Sequence, residues 1–443
     1  MESVQAGAAA VDISPQDSQF LYGYPHVERY STGIHDPLWS SALYLSDGQT
    51  EILFVASDII FVGKATAQRA RQRIKEETGI DSGQIMLTAT HTHSGPLTVN
   101  YISNEHDPVV PPVDPNYLRR FEDGLVQAAI QAHRRARPAQ LGLAVAEATG
   151  LGTNRRDPAG PADPEVPVLM VRTADGQENI ACMVVYSMHP TVLHEDSTLI
   201  SGDFPGLTRQ FLQQNVLGLD CPVLYHTGPA GNQSLRYVTQ ENTFAEAERL
   251  GALLGRAIAQ VIPTITYRSV VELAVARAFV DLPPRQFPPL AEAEARLQQA
   301  AERLARLRQA GAPPPEIRTA EVDWFGAEET VTLTRAARDG RLEKLYRACL
   351  PAEVQILKVG PWSFVGWPGE IFIEHALAVK ARFRDTFVIS LANGELQGYI
   401  VTEEAAREGG YEASNSVFAP QSGALLVETT LRLLDSLAAQ RRE

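Results

Sequence analysis

The sequence predicts an α/β protein, a mixed sheet core with flanking helices, folded as one domain over residues 1–443. Short apolar runs of strand length alternate with stretches in which apolar residues recur every three or four positions, as a sheet covered by helices requires. Some runs, such as EILFVASDIIFV at 51–62, are apolar almost throughout, as in a buried strand. No internal repeat suggests a solenoid or propeller.

Taken in order, residues 51–62 predict a strand, 65–78 a polar-faced helix and 84–90 a second strand. Leu118, Phe121, Leu125 and Ala129 share one face of a helix predicted at 117–136. Residues 166–171 and 180–188 predict a hairpin about Asp175-Gly176. A short strand at 222–226 precedes a helix at 244–261 that carries Leu250, Leu253, Leu254, Ile258 and Val261. Strands are then predicted at 354–358, 362–367 and 386–391, with helices at 371–384 and 422–437. The Ala/Glu/Arg/Leu-rich stretch 288–309 is strongly helical and stops at Gly311-Ala312-Pro313-Pro314-Pro315. It predicts a helical insertion over about 285–350, a solvated hairpin packed on the body of the domain.

Hydrophobic residues make up 44% and charged residues 21%, so the chain is globular in composition. The charge, 39 − 53 = −14, opposes nucleic-acid binding and docking on anionic lipid. No run approaches the roughly 20 apolar residues of a membrane-spanning helix. Met1-Glu2-Ser3-Val4-Gln5 has neither the basic flank nor the apolar core of an export signal. Cys182, Cys221 and Cys349 are far apart and fit a reducing compartment, so a cytoplasmic location is expected.

The strongest chemical feature is Thr90-His91-Thr92-His93-Ser94-Gly95-Pro96, directly after a strand. In an extended chain alternate residues point the same way, so His91 and His93 are expected to face one pocket, although two polar residues in a surface turn fit equally well. His189-Pro190 ends another apolar strand, and Pro368-Gly369-Glu370 ends a third just before a helix. Taken singly, these are a loop imidazole and a capping carboxylate. Together, two histidines and one carboxylate match the His₂Glu set of hydrolytic zinc sites, placed at strand C-terminal ends. Tyr399 and Tyr411 read by themselves as packed rings with bonded hydroxyls. Asp58 interrupts an apolar run and needs a cationic partner or a histidine to support. Arg155 suits either a substrate clamp or a surface charge, and Gly228-Pro229-Ala230-Gly231-Asn232 suits an oxyanion pocket or a tight turn. G-x-G-x-x-G, P-loop, G-x-S-x-G and HExxH motifs are absent.

These residues resemble the neutral/alkaline (non-lysosomal) ceramidase family along most of the chain. The likeness rests on Ala9-Ala10-Val11-Asp12-Ile13-Ser14-Pro15, Gly23-Tyr24, Gly33-Ile34-His35, the A-T-H-T-H-S-G-P segment at 89–96, Asn154-Arg155, His189-Pro190, Pro368-Gly369-Glu370 and Gly398-Tyr399-Ile400, in the family's order. The resemblance implies a zinc amidohydrolase with His91, His189, Glu370 and Tyr399 as ligands to one ion. It makes His93 and Tyr411 active-site residues and Arg155 a substrate contact. The family's G-D-x-S-P-N serine is replaced by glycine near Gly231, with Ser234 displaced. The catalytic domain alone is expected, without the family's C-terminal immunoglobulin-like domain. The expected activity is therefore zinc-dependent cleavage of an amide (N-acyl) bond in a small soluble substrate rather than ceramide. Tyr411 and backbone N–H groups near Gly231 would steady the intermediate, and His93 or Asp58 would move the proton. The alternatives are a zinc-dependent ester or lactone hydrolase and a non-catalytic metal-binding relative.

Overall fold

The computed structural model describes residues 3–440. Two sheets pack face to face and helices cover both outer surfaces. The larger sheet has eight strands, ordered Val223–Thr227, Asn179–Tyr186, Glu165–Thr173, Arg137–Glu147, Gln5–Asp12, Trp39–Ser46, Glu51–Ser57 and Ile85–Ala89. The smaller has four, ordered Leu273–Val280, Ala352–Val359, Trp362–Gly366 and Thr386–Ile389.

Side-chain alternation along the strands builds the layers. Leu43, Leu45, Ile52 and Phe54 face the smaller sheet, where they meet Leu357, Phe364 and Phe387. The Phe54 and Phe364 rings pack edge to face at 5.5 Å. Their neighbours Ala42, Tyr44, Leu53 and Val55 point the other way, into a core shared with the helices Lys64–Thr78 and Pro115–Arg134. The helices Asp203–Leu212 and Phe244–Val261 cover the remainder of that face. On the far side, Val354, Ile356, Val365 and Trp367 are covered by Arg341–Cys349, Ile373–Arg382 and Ser422–Gln440. Both faces of the central strands are covered, which is why strands such as 51–57 carry no polar alternation.

Within these two sheets most strand pairs are antiparallel, and the three parallel pairs matter most for function. Glu51–Ser57 runs parallel to Ile85–Ala89, Asn179–Tyr186 to Val223–Thr227, and Trp362–Gly366 to Thr386–Ile389. A parallel pair needs a crossover, and the helices Lys64–Thr78, Asp203–Leu212 and Ile373–Arg382 supply it in turn. The edge strands of the large sheet also meet each other. Thr88 Oγ1 lies 2.8 Å from His226 Nδ1, and Thr227 Oγ1 donates to the Thr90 carbonyl at 2.7 Å.

The hairpin about Asp175-Gly176 and the helices near 65–78, 117–136 and 244–261 form as expected. The predicted strand 51–62 stops at Ser57. Asp58 leaves the ladder there, accepting the Trp39 N–H at 2.9 Å and pairing with Arg209 at 2.8 Å. Residues 59–62 stay buried while turning, so an unbroken apolar run hides the end of the strand. Strands Gln5–Asp12, Trp39–Ser46, Arg137–Glu147 and Leu273–Val280 and the helix Asp203–Leu212 were not legible. The predicted insertion is the helices Leu290–Gln309, Pro314–Arg338 and Arg341–Cys349. Prolines stop the first helix and also begin the second, since Pro at the first helical position forfeits no hydrogen bond. It is more than a solvated hairpin, because Ala320, Phe325, Leu333 and Ala336 on the second helix are buried.

His226 gives the fold a pH dependence. Burial pushes its imidazole down to about 3, so the native state leaves it neutral. Below the ordinary value near 6.5 the unfolded chain takes up a proton that the folded chain refuses, so stability falls as pH drops from about 6.5 towards 3. Urea midpoints measured from pH 7 to 4 should fall more steeply for the wild type than for His226→Gln. Equal slopes would remove His226 from the account.

Candidate metal centre

Each parallel pair delivers one polar side chain just past a strand end. His91 follows Ile85–Ala89, His189 follows Asn179–Tyr186 and Glu370 follows Trp362–Gly366. Their atoms converge. His91 Nε2 lies 3.1 Å from His189 Nε2 and 3.3 Å from Glu370 Oε2, and His189 Nε2 is 3.2 Å from the same oxygen. His93 Nε2 joins them, 3.3 Å from His91 Nε2.

The other nitrogen of each ring fixes the chemistry of this cluster. His91 Nδ1 faces the Ile60 carbonyl at 3.0 Å, His93 Nδ1 that of Gly23 at 3.1 Å and His189 Nδ1 that of Ala230 at 2.6 Å. A carbonyl only accepts, so each Nδ1 carries the proton and each neutral ring turns a lone pair inwards. Three lone pairs and a carboxylate then face one another, and Glu370 Oε2 has no hydrogen-bond donor among the described residues. That arrangement repels itself unless a proton or a cation sits at its centre. Donors 2.0–2.1 Å from a tetrahedral ion lie about 3.3 Å apart, close to the spacings here. A backbone carbonyl on the outer nitrogen is also the usual support of a metal-binding imidazole. The donor set fits one divalent cation.

Protonation follows the same logic. Burial lowers His91, but the Glu370 carboxylate more than offsets this and leaves it raised. Burial pushes His189 down to about 4, helped by Arg155, and burial together with the other two imidazoles lowers His93. Burial works against the Glu370 charge, yet His91 and His189 hold its carboxyl well below the usual range. At neutral pH the cluster therefore offers a carboxylate and two neutral imidazoles, with His91 the ring that takes up a proton when no cation is present.

The alternation expected of 90–96 is not how the two histidines meet. His91 has a φ of 69°, a left-handed conformation uncommon outside glycine, held by its N–H on the Ile59 carbonyl at 2.9 Å. Tyr399 pairs with Glu370 across a short parallel bridge, and its hydroxyl accepts from Arg155 Nη2 at 3.2 Å. Arg155 is itself held by Glu412 at 2.8 Å. The Tyr411 ring lies 6.0 Å from that of Tyr399. Tyr399, Tyr411, His91, His93 and Glu370 line one cavity of about 50 Å³, room for a few waters.

Two expectations are corrected, those on Asp58 and on Gly231. Asp58 is committed to Arg209 and Trp39, so it moves no catalytic proton. The Gly231 N–H donates to the Ile371 carbonyl at 2.9 Å and is not a free oxyanion donor. A Cβ at Gly231 would meet that carbonyl at 3.0 Å, so glycine is needed there to let the loop approach the strand carrying Glu370. Ser234 Oγ accepts the Arg236 N–H at 3.1 Å and does not line the cavity. The 228–234 loop supports His189 and Glu370 from behind.

Several residues went unread in the sequence. Arg29, 1% exposed, donates to the carbonyls of His93 and His194 and fixes the loop that carries the motif. Tyr22, Tyr101, Glu329 and Asn415 line the cavity, and Glu395 bonds Tyr101 at 2.6 Å. None sits in a motif. Only Gly23-Tyr24 was marked, and Gly23 has a steric reason to be glycine. Its φ is 128°, and a Cβ there would lie 2.3 Å from His93 Nδ1. Gly23→Ala should displace the His93 ring, whose Nε2 lies 3.3 Å from His91 Nε2, and weaken divalent-cation binding roughly 10-fold or more, as measured by competition with a chromophoric chelator, with far-UV circular dichroism unchanged. Wild-type affinity in this variant would contradict the placement of His93.

A profile of the family described as neutral/alkaline non-lysosomal ceramidase, N-terminal, matches residues 5–221, which include His91, His93, Arg155 and His189. The neutral ceramidase of Mycobacterium tuberculosis is 24% identical over 243 residues, covering 50% of this chain and 37% of that protein. That of Pseudomonas aeruginosa is 25% identical over 226 residues, covering 47% and 33%. The matches thus span about a third of these relatives' length. In fold, the crystal structure of the Pseudomonas aeruginosa neutral ceramidase aligns over 99% of this chain and 75% of its own, with a TM-score of 0.78 at 20% identity. Residues 5–221 thus belong with the neutral/alkaline non-lysosomal ceramidase family as a divergent member, and the chain as a whole shares the fold of the Pseudomonas aeruginosa protein.

Proposed function

We propose that the protein is a zinc-dependent hydrolase that cleaves the amide (N-acyl) bond of a small soluble substrate. The observation that carries this is the meeting of His91, His189 and Glu370 around one point, with every Nδ1 tied to a carbonyl. In the mechanism, His91, His189, Glu370 and Tyr399 hold one ion. When bound, such an ion polarises an acyl carbonyl and lowers the pKa of water from about 16 towards 7.

The protein's own groups do the rest. His93 is the least buried of the three imidazoles, so its Nε2 takes the proton from the attacking water and returns it to the departing amine nitrogen. Burial raises the Tyr411 phenol far above its ordinary value, so it stays protonated and can donate to the developing oxyanion. Glu412 holds Arg155 so that its guanidinium orients the Tyr399 hydroxyl. The cavity wall carries imidazole, phenol, amide and carboxylate groups beside the apolar side chains of Ile60, Phe61 and Val110, which suits a compact acyl substrate. The unpaired, buried cysteines accord with a cytoplasmic setting. An O-acyl substrate is the second reading. The 228–234 loop supplies neither a free N–H at Gly231 nor a cavity-facing serine, and an alkoxide leaves with less assistance than an amine.

A hydrolysis panel on the zinc-loaded protein tests this, with short N-acyl amines, matched esters and lactones, and a long-chain N-acyl sphingoid base. Short amides should be cleaved, and His91→Ala should lower kcat/KM by at least about 100-fold. Lactone cleavage without amide cleavage would select the second reading. Bound zinc without turnover of any acyl substrate would identify a non-catalytic relative.

A further inference from the structure

Glu329 reaches the cavity from the helix Pro314–Arg338, which none of the motifs marks. It is 4% exposed. Its Oε2 accepts from Asn415 Nδ2, while its Oε1 has no partner among the described residues. The helix is held in place on the N-terminal side of this residue. The His26 ring stacks on Trp324 at 5.0 Å and bonds Glu328, and Arg318 pairs with Glu195 at 3.1 Å.

The charges around the cup do not balance. Glu329 and Glu370 both line it, and no Lys or Arg lines it among the described residues. Glu395 lies behind Tyr101, with one oxygen also unpartnered. The nearby Arg155 and Arg156 share Glu412 at 2.8 and 3.0 Å. A divalent ion held by the histidines carries two positive charges, which Glu370 and an ionised Tyr399 would together offset, leaving Glu329 without a counter-charge. Burial accordingly pushes the Glu329 carboxyl up to about 8, the direction taken by an acid that lacks a cation. With no cation beside it the carboxyl is then largely protonated at neutral pH; a hydroxyl would satisfy its free oxygen, but only a cation would stabilise the ionised form.

Resting on the amide-hydrolase reading above, we propose that Glu329 is the specificity residue of this site and receives a protonated primary amine of the substrate, which makes the substrate class short diamines acylated on one nitrogen. The free ammonium would sit against Glu329 Oε1 while the acyl group lies at the histidines. Because His91, His93 and Glu329 line the same cavity, the spacer between the two groups is short.

Calorimetric titration of the full-length, zinc-loaded protein tests this with 1,4-diaminobutane and, as the neutral isostere, butane-1,4-diol. The wild type should bind the diamine at least 10-fold more tightly than the diol. Glu329→Gln, which keeps an oxygen for Asn415, should lose that preference. Equal diamine affinity in the two proteins would mean that the amine binds the metal or the surface, and would overturn the proposal. If the variant does not fold, a wild type that binds diol as well as diamine still overturns it. A second arm compares hydrolysis of N-acetyl-1,4-diaminobutane with N-acetyl-4-aminobutanol. At least a 10-fold advantage in kcat/KM for the former, abolished in Glu329→Gln, supports the assignment. Turnover without preference sinks it. A Glu329-dependent diamine preference in binding, with neither amide cleaved, would uphold Glu329 and discard the amide-hydrolase reading.

Discussion

Four hydrogen-bond acceptors that face one another across 3.1–3.3 Å define this protein. Three backbone carbonyls, of Ile60, Gly23 and Ala230, spend the Nδ1 protons and leave the inner nitrogens with nothing to donate. The mutual repulsion is tolerable only with positive charge at the centre. A raised His91 and a depressed Glu370 are the ion-free response to that demand. Metal would answer it better, with release of a proton.

Topology makes the convergence possible. Each contributing loop leaves the carboxyl end of a strand in a parallel pair, the place where open α/β sheets put their ligands. Two of those pairs lie at opposite edges of the larger sheet, and the third belongs to the other sheet. The Thr88–His226 and Thr227–Thr90 bonds draw the edges together, and the Ser390 N–H on the Thr227 carbonyl at 2.9 Å ties in the smaller sheet. Distant segments thus meet because strand ends are stitched, and the stitches themselves are ordinary threonines and backbone groups.

That division explains what the sequence revealed. His91, His189 and Glu370 were legible because each stands just beyond a strong apolar strand, beside Gly or Pro that ends it. Tyr399 and Tyr411 were legible only through family resemblance, since a buried phenol has no spacing signature. Asp58 was read correctly as needing a partner, but Arg209 lies far along the chain and nothing local names it. The Gly228–Asn232 turn suggested an oxyanion pocket because free and bonded backbone N–H groups look alike in sequence. Glu329 was invisible for a similar reason. It is one acid among many on a charged amphipathic helix, and burial alone separates it from its neighbours. The central strand Gln5–Asp12 was missed because its alanine-rich run has no strong β signal, and only its neighbours on both sides make it a strand.

The central claim is a shared ion. Anomalous diffraction above and below the zinc edge, on crystals of the purified full chain, tests it most directly. One zinc-specific peak should appear per chain, within bonding distance of His91 Nε2, His189 Nε2 and a Glu370 oxygen. A zinc-loaded crystal with no peak there, or with the three side chains turned away from a peak elsewhere, would contradict the account.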